Sequence, residues 1–354
     1  MRTFFVGLFV TLGLTATVAS APAGAQDPKS AHVRTFAVLP DDLRFPEGIA
    51  ANPVNGDVYV GTFVFGGANA LLRYDFHGRL LGRVEFGGTP LLGLQFGPKD
   101  GKVYIANLGA SKIQRVKADL TGQIEDVVVV PSIGAPAPRS TGNPDGSSDT
   151  ILFGSNGFPG PNAMTFDAAG NLYVSDSFQG AIFRIANADV CSPCIASLVV
   201  HHPLLATAGF PPFGANGLAF NGDETGLFIA NTGDDRVLKL DMATTQVSMF
   251  AESVNGADGL VRDAHGLLWV AANQADTLVA LDERGRVVAQ IGGFEAVRNG
   301  RPVGLLFPAS LAIVGMEIFV TNLALPLTDT IVGDEPEEDV TRWTISRMLL
   351  PRVR

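Results

Sequence analysis

The 354-residue sequence predicts an all-β fold, a six-bladed β-propeller with four-stranded blades. Three observations support this prediction. A short sequence unit recurs six times, at intervals from 42 residues (216 to 258) to 70 residues (92 to 162). Turn pairs such as Asn55-Gly56 and Asp100-Gly101 join its short apolar runs, and few segments show the periodicity of a helix. Stacked repeats of this kind bury their core only together, so we expect one closed domain.

Each copy of the repeat begins with a variable residue, which is followed by a small residue and an apolar residue. A strand of apolar-aromatic-apolar type comes a few residues later, as in VYV at 58–60 and LWV at 268–270. A third strand and usually a fourth follow, which gives the four strands of a propeller blade. The variable residues of the six copies are Glu47, Leu92, Asn162, Asn216, Asp258 and Ala309.

The two ends of the chain are expected to close the ring. TRWTISRMLL near the C-terminus predicts the third strand of the sixth blade, and HVRTFAVL at 32–39 would supply its outer strand, so that no blade edge stays open. Residues 26–354 would then form a single propeller domain. Two long connections, 131–161 and 201–215, both precede a variable residue. They are therefore predicted on the same face of the disc, where binding sites usually lie.

The first 25 residues are predicted to be a signal peptide. Arg2 precedes an uncharged stretch from 4 to 19, and Ala23-Gly24-Ala25 offers a cleavage site. The alternative, a membrane anchor, is disfavoured because the stretch is short and Pro22 follows it. We therefore expect a secreted or periplasmic protein with no membrane attachment after cleavage. An oxidising compartment would allow Cys191 and Cys194 to form a local disulfide. The alternatives are that they form a redox or metal-binding motif or remain free thiols.

Charge excludes one class of partner. The formal net charge is −10 at pH 7 and no basic run is present, whereas nucleic-acid binding depends on clustered Lys and Arg. The sequence also lacks a phosphate-binding glycine loop and a G-x-S-x-G nucleophile elbow. A closed propeller has few exposed strand edges, so a monomer that binds a small molecule is expected.

The variable residues open the strands that line the central channel, so they should form a ring around the axis. Four of them carry hard oxygen donors, namely Glu47, Asn162, Asn216 and Asp258. Two carboxylates in a partly desolvated channel repel each other, and a divalent cation would remove that cost. Oxygen-only ligands favour Ca²⁺ over Zn²⁺. In the alternative interpretation, these residues only cap strands and bind channel water.

Four motifs resemble those of a known family: FPEGIA, PNAMTFDAAGNLYVSD, ANGLAFNGDETGLFIANT and ADGLVRDAHGLLWVA. They look like the motifs of the gluconolactonase and senescence-marker-protein family, which is related to the paraoxonases and diisopropylfluorophosphatases. The resemblance implies a six-bladed propeller that holds a catalytic Ca²⁺ or a similar divalent ion. The implied metal ligands match Glu47, Asn162, Asn216 and Asp258. In some members of the family, the residue that corresponds to Asn162 contacts substrate or water and not the metal.

These expectations together predict an exported divalent-metal-dependent hydrolase that acts on a lactone or a related ester. The cation would polarise a carbonyl oxygen, and Asp258 is predicted to activate water or act as the nucleophile, with Glu47 mainly a ligand. The leading alternative is a non-catalytic propeller of the NHL type that binds a protein, a glycan or a small ligand, with a structural metal or none. Lyases built on a similar propeller are a third possibility.

Aromatic residues in the rim loops are predicted to bind the substrate: Phe63, Phe65, Phe158, Phe210 and Phe213. An apolar lactone or aryl ester would then fit better than a sugar lactone; alternatively, the rings only pack the loops onto the disc. Asp176 and Asn231, at the ends of second strands, are predicted either to support the metal ligands or to bond to their own turns. His201 and His202 lie in a loop that could reach the site.

Overall fold

The computed structural model describes residues 32–153, 158–327 and 335–351. In these ranges, six four-stranded antiparallel sheets form the six blades. The strands of blades one to five are hydrogen-bonded in sequence order from the channel outward, and in blade six the first strand of the chain takes the outermost place. The inner strands of successive blades pack side by side, and the inner strand of the sixth blade packs against that of the first. The predicted six-bladed propeller is therefore confirmed.

The strands are numbered along the chain. Blade one contains β2 (Pro46–Ala51), β3 (Val58–Thr62), β4 (Asn69–Tyr74) and β5 (Leu80–Gly87). Blade two contains β6 (Leu91–Phe96), β7 (Lys102–Asn107), β8 (Lys112–Lys117) and β9 (Glu125–Val129). Blade three contains β12 (Pro161–Phe166), β13 (Leu172–Asp176), β14 (Ala181–Ile185) and β15 (Ala196–His201).

The remaining blades follow the same order. Blade four contains β16 (Ala215–Phe220), β17 (Gly226–Asn231), β18 (Arg236–Asp241) and β19 (Val247–Glu252). Blade five contains β20 (Ala257–Arg262), β21 (Leu268–Ala272), β22 (Thr277–Leu281) and β23 (Val287–Ile291). Blade six contains β26 (Pro308–Val314), β27 (Glu317–Asn322), β28 (Thr344–Leu349) and β1 (Arg34–Val38).

Two small hairpins stand outside the blades, β10 (Arg139–Gly142) with β11 (Ser148–Ile151) and β24 (Phe294–Arg298) with β25 (Arg301–Gly304). The first lies in the 131–161 connection, which was predicted as a loop. Its strands, RSTG and SDTI, are polar and carry no alternating apolar face, so the periodicity of the sequence gave no sign of them. Short 3₁₀ helices cover Leu108–Ala110, Asn273–Ala275 and Pro336–Asp339.

The core lies between the blades and not inside them. Second strands such as β3 and β21 are buried along their whole length, whereas the outer strand β5 is largely exposed. Their aromatic residues, including Tyr59, Tyr104 and Trp269, are fully buried. Apolar clusters fill each interface between neighbouring blades. Each blade is therefore held in place by both neighbours, which fixes the inner strands around the axis.

Strand β1 closes the ring as predicted, because it pairs antiparallel with β28 and completes blade six. Its Phe36 is 7% exposed, and its ring lies 4.8 Å from that of Phe319 in an edge-to-face contact. The N-terminal strand is thus part of the core although it is far from blade six in the sequence.

We expect Phe36→Ala to lower the free energy of unfolding by about 3–5 kcal/mol, because it leaves a cavity in the closing blade. Val54→Ala is the matched control; Val54 is 90% exposed, so its truncation should change stability by less than about 0.5 kcal/mol. Denaturant unfolding of both variants measures the difference. Equal stabilities would show that the strand pairing does not hold the ring together.

Features tied to export are only partly within the described residues. The predicted signal peptide, 1–25, lies outside them. In the ranges that the structure describes, no helix is long and apolar enough to cross a membrane. Cys191 and Cys194 form a disulfide in the loop between β14 and β15.

Candidate metal centre at the channel mouth

A β-bulge recurs at one position in all six inner strands. In each, the pairing register with the second strand shifts across the variable residue and the small residue that follows it, for example between Pro46 and Ile49 in blade one. A bulge leaves the extra residue out of the ladder and re-aims its side chain. The repeat identified in the sequence is therefore the signature of this bulge, which presents one side chain per blade at the channel.

The small residue after each variable residue is required by the next blade. A Cβ atom on Gly48 would lie well under 3.0 Å from the carbonyl oxygen of Leu92, and one on Gly217 would collide with the backbone of Asp258 and Leu260. The bulge of one blade thus rests directly on the variable residue of its neighbour. This close approach explains why the repeat tolerates only Gly, Ala or Ser there.

Gly217→Ala tests this contact. We expect the variant to lose about 1–3 kcal/mol of stability, because the clash is with backbone, and to bind Ca²⁺ at least about tenfold more weakly, because Asp258 is displaced. Gly142→Ala is the control, since a Cβ there meets nothing within 4 Å. Calorimetric Ca²⁺ titration and thermal unfolding report the two effects. Wild-type affinity in Gly217→Ala would contradict the account.

The four predicted oxygen-bearing residues are all buried, with 4% exposure for Glu47, 1% for Asn162 and 5% for both Asn216 and Asp258. Burial raises the pKa of Glu47 well above its ordinary value, and the charge of Asp258 raises it further. Glu47 belongs to blade one and Asp258 to blade five, so blade six separates the two residues around the ring, yet they are close enough for their charges to interact. The sequence-predicted ring thus converges at one place.

Burial also raises the pKa of Asp258, to about 7, although the hydrogen bond from Asn273 acts in the opposite direction and lowers it. Two buried carboxylates that repel each other are unstable as a pair of free anions. A protein can relieve that cost by protonation or by a bound cation. The pair of carboxylates is therefore compatible with a bound cation.

The buried oxygens of this site lack hydrogen-bond partners. Four acceptor atoms are enclosed and unpartnered: Glu47 Oε2, Asn162 Oδ1, Asp258 Oδ1 and Asn273 Oδ1. Buried acceptors without donors are rare in folded proteins and indicate a missing ion or water. A set made only of carboxylate and amide oxygens fits a hard cation such as Ca²⁺. The described residues contain no cluster of three or more His, Cys, Asp or Glu side chains, so a metal here would depend on the amides as well.

Three further residues orient the ring, and the sequence analysis did not select them. The Asn162 Nδ2 donates to Ser177 Oγ (2.9 Å), Asn216 Nδ2 donates to Thr232 Oγ1 (2.9 Å), and Asn273 Nδ2 donates to Asp258 Oδ2 (3.0 Å). Each bond uses one N–H of the Asn162 or Asn216 amide and leaves the amide oxygen free of that contact.

The three orienting residues share one position, immediately after the second strand of blades three, four and five. That shared position is the signal by which the sequence could have revealed them. They also tie the blades together, since Ser177 Oγ donates to Ala215 O and Thr232 Oγ1 donates to Ala257 O of the next blade.

Asp176 and Asn231 lie one residue earlier and do not support the ring. The Asp176 carboxylate accepts hydrogen bonds from the backbone amides of 160, 178 and 179 and from Gln179 Nε2. The Asn231 Nδ2 donates to the carbonyl oxygens of Leu204 and Ala206. Both residues therefore anchor the long loops, because strand alternation turns neighbouring side chains to opposite sides. This corrects the predicted supporting role in favour of its alternative.

Four of the five predicted rim aromatics form one continuous row, which also includes Phe178. The ring centroids are 5.3 Å apart for Phe65 and Phe63, 6.3 Å for Phe63 and Phe213, 5.4 Å for Phe213 and Phe178, and 5.3 Å for Phe178 and Phe158. Phe210 is not in the row; it is 38% exposed, and its carbonyl oxygen accepts a hydrogen bond from Gln274. His201 ends the outer strand β15 and His202 follows it, on the far side of blade three from the channel.

The row crosses the mouth of the channel. Phe63 follows the second strand of blade one, and its amide donates to Phe45 O beside Glu47. Phe213 precedes the inner strand of blade four, on the opposite side of a six-membered ring. Their contact therefore spans the axis above the four oxygen-bearing side chains. Beneath these side chains the channel continues as a cavity of about 370 Å³ that is lined by all six inner strands.

Comparison with known proteins gives one sequence match and many structural ones. Residues 160–293 match the SMP-30/Gluconolactonase/LRE-like region. That span covers blades three to five and includes Asn162, Asn216 and Asp258. No curated protein matches the chain in sequence.

Solved structures with the same fold include several enzymes. A calcium-binding regucalcin from Agrobacterium tumefaciens is 15% identical, with a TM-score of 0.58 over 90% of this chain and 98% of its own. A gluconolactonase from Xanthomonas campestris is also 15% identical, with a TM-score of 0.57 over 90% of this chain and 89% of its own. Virginiamycin B lyase from Staphylococcus aureus is 14% identical, with a TM-score of 0.53 over 90% of this chain and 99% of its own. The resemblance seen in the motifs is confirmed: blades three to five of this six-bladed propeller match the SMP-30/Gluconolactonase/LRE-like region.

Proposed function

We infer that the chain is an exported, divalent-metal-dependent hydrolase that opens a lactone or a related ester at the channel mouth, with Ca²⁺ as the preferred ion. The observation that carries this proposal is the set of four buried, unpartnered oxygens on Glu47, Asn162, Asp258 and Asn273. The family match over 160–293 supports the reaction class. We further propose a monomer that binds no nucleic acid, in line with its acidic composition.

Glu47, Asn216 and Asp258 would hold the cation, and Asn162 would complete the ring from the metal or the substrate side. When bound, the cation neutralises the two carboxylates and polarises the carbonyl oxygen of the substrate. The chain fixes these groups in advance. Thr321 Oγ1 donates to the backbone oxygen of Glu47 (2.7 Å), which holds the bulge of blade one from blade six.

Asp258 is the residue best placed to move a proton. Its Oδ2 is held by Asn273 Nδ2 at 3.0 Å, whereas its Oδ1 is buried and has no partner. A carboxylate with one oxygen fixed and one free can accept the proton of an attacking water at Oδ1.

The aromatic rings above the site limit the access of bulk water. Phe63 is 8% exposed and Phe178 5%, and both contact the ring of Phe213 in the row that crosses the mouth. Exclusion of water strengthens the electrostatic interactions below them. It also leaves Asp258 Oδ1 to position the attacking water.

Metal analysis combined with a substrate panel tests the proposal. We expect the chain that begins at residue 26 to carry about one divalent ion per molecule by mass spectrometry of the metal. We also expect that stripping with a chelator removes hydrolysis of lactones and that Ca²⁺ restores it. A bound ion without hydrolysis of any lactone or ester would indicate a structural metal in a binding module. The absence of both metal and activity would contradict the proposal outright.

A further inference from the structure

The channel mouth has two chemically different halves. The residue that follows the second strand of each blade is polar in blades three, four and five, where it is Ser177, Thr232 or Asn273. In blades six, one and two the corresponding residues are Leu323, Phe63 and Leu108, which are all buried. The variable residues of blades two and six, Leu92 and Ala309, extend the apolar half toward the axis. Only Glu47 interrupts that half.

Most hydrogen-bonding groups of the polar half are already engaged and are not free to bind the hydroxyl groups of a ligand. Ser177 and Thr232 each accept a bond from an amide of the ring and donate to the carbonyl oxygen of the next blade. One N–H of the Asn273 amide donates to Asp258. The unpartnered acceptors are the four oxygens of the proposed ion site. A polyhydroxylated ligand would therefore compete with the cation for these oxygens, and any hydroxyl buried without a partner is costly.

The aromatic row offers the opposite environment. Its two ends, Phe65 and Phe158, are 60% and 40% exposed, whereas Phe63 and Phe178 are buried over the mouth. The row therefore forms a continuous apolar surface from the solvent to the ion site. Phe213 is its middle member and contacts the rings of both Phe63 and Phe178.

We propose that the mouth binds an amphipathic lactone or ester in one orientation, with its carbonyl toward blades three to five and an alkyl or aryl group along the aromatic row. The inference rests on the proposed hydrolase function and specifies its substrate class. Sugar lactones should be poorer substrates, because the phenyl rings of the row offer their hydroxyls no hydrogen-bond partner.

The test compares kcat/KM for three lactones with the same six-membered ring: δ-decalactone with its pentyl chain, unsubstituted δ-valerolactone and glucono-δ-lactone. We expect δ-decalactone to exceed each of the others by about 100-fold or more, since several methylenes enter an apolar site. In Phe213→Ala the ratio of δ-decalactone to δ-valerolactone should fall at least about tenfold. Leu198→Ala, on the exposed face of the outer strand β15, should leave that ratio unchanged.

Binding measurements separate this inference from the hydrolase proposal. Calorimetry in the presence of Ca²⁺ would compare 2-piperidinone, which resists hydrolysis, with its 6-pentyl derivative. Tighter binding of the pentyl compound, lost in Phe213→Ala and retained in Phe213→Leu, would support the apolar subsite even if no lactone is hydrolysed. Hydrolysis with equal preference for glucono-δ-lactone and δ-decalactone would overturn the inference and leave the hydrolase intact. Equal binding of the two lactams would also overturn it.

Discussion

Asp258→Asn is expected to lower kcat/KM for the best lactone substrate by at least about 10³-fold. The asparagine would turn its oxygen toward Asn273 Nδ2, the donor that Asp258 Oδ2 accepts at 3.0 Å. Its NH₂ group would then face the ring of oxygens, where it repels a cation and cannot accept a proton. The substitution therefore removes the proposed base and a metal ligand together, so Ca²⁺ affinity should fall as well, by about 10–100-fold. Kinetics and calorimetry measure the two losses.

Two comparisons give this prediction its controls. Glu47→Gln should weaken Ca²⁺ binding but recover much of its activity at high Ca²⁺, because it removes a ligand and leaves Asp258 in place. Asp263→Asn replaces another buried carboxylate of blade five, which accepts a hydrogen bond from Trp269 Nε1 at 3.0 Å. It should cost stability and leave Ca²⁺ affinity unchanged. Normal affinity and turnover in Asp258→Asn would refute the role of this residue.

The metal-free protein is expected to lose stability as the pH rises from 5 to 8. Burial raises the folded-state pKa of Asp258 to about 7 and that of Glu47 well above its ordinary value. In the unfolded chain both carboxyls ionise near their ordinary pKa of about 4. Between these values the folded state holds more protons than the unfolded state, so stability decreases with pH. The contribution is complete below pH 4 and is lost as the pH passes through the folded pKa.

In this pH window, each carboxyl changes the free energy of unfolding by up to about 1.4 kcal/mol per pH unit. We therefore expect the melting temperature of chelator-treated wild type to fall by on the order of 5 °C more than that of Asp258→Asn between pH 5 and 8. Saturating Ca²⁺ should remove the fall, because it binds the ionised carboxylates of the folded state alone. Parallel melting curves for the two metal-free proteins would show that these carboxyls do not titrate as a buried pair.

The sequence was sufficient to predict the disc and the ring of oxygens because both depend on a β-bulge that recurs in every blade. Each bulge needs a small residue beside the next blade, so Gly48 and Gly217 mark the positions of Glu47 and Asn216. Closure by β1 was also predictable, since HVRTFAVL is an apolar segment of strand length shortly before blade one.

The supporting residues do not repeat as a residue type, so the pattern of the repeat did not select them. Ser177, Thr232 and Asn273 occupy one structural position but differ in type, and the same position is apolar in the other three blades. Asp176 and Asn231 repeat as a type, yet the alternation of the strand directs them to the loops. The contact between Phe63 and Phe213 joins opposite blades and depends on the path of a long loop, which local patterns do not encode.

The most direct test is the anomalous diffraction of a crystal that contains Ca²⁺ or a lanthanide in its place. We predict one strong peak at the channel mouth, within about 2.3–2.6 Å of carboxylate oxygens from both Glu47 and Asp258. Wild-type crystals in which this position holds only water at saturating Ca²⁺, or in which the ion lies elsewhere, would contradict the assignment of the ring as a metal centre.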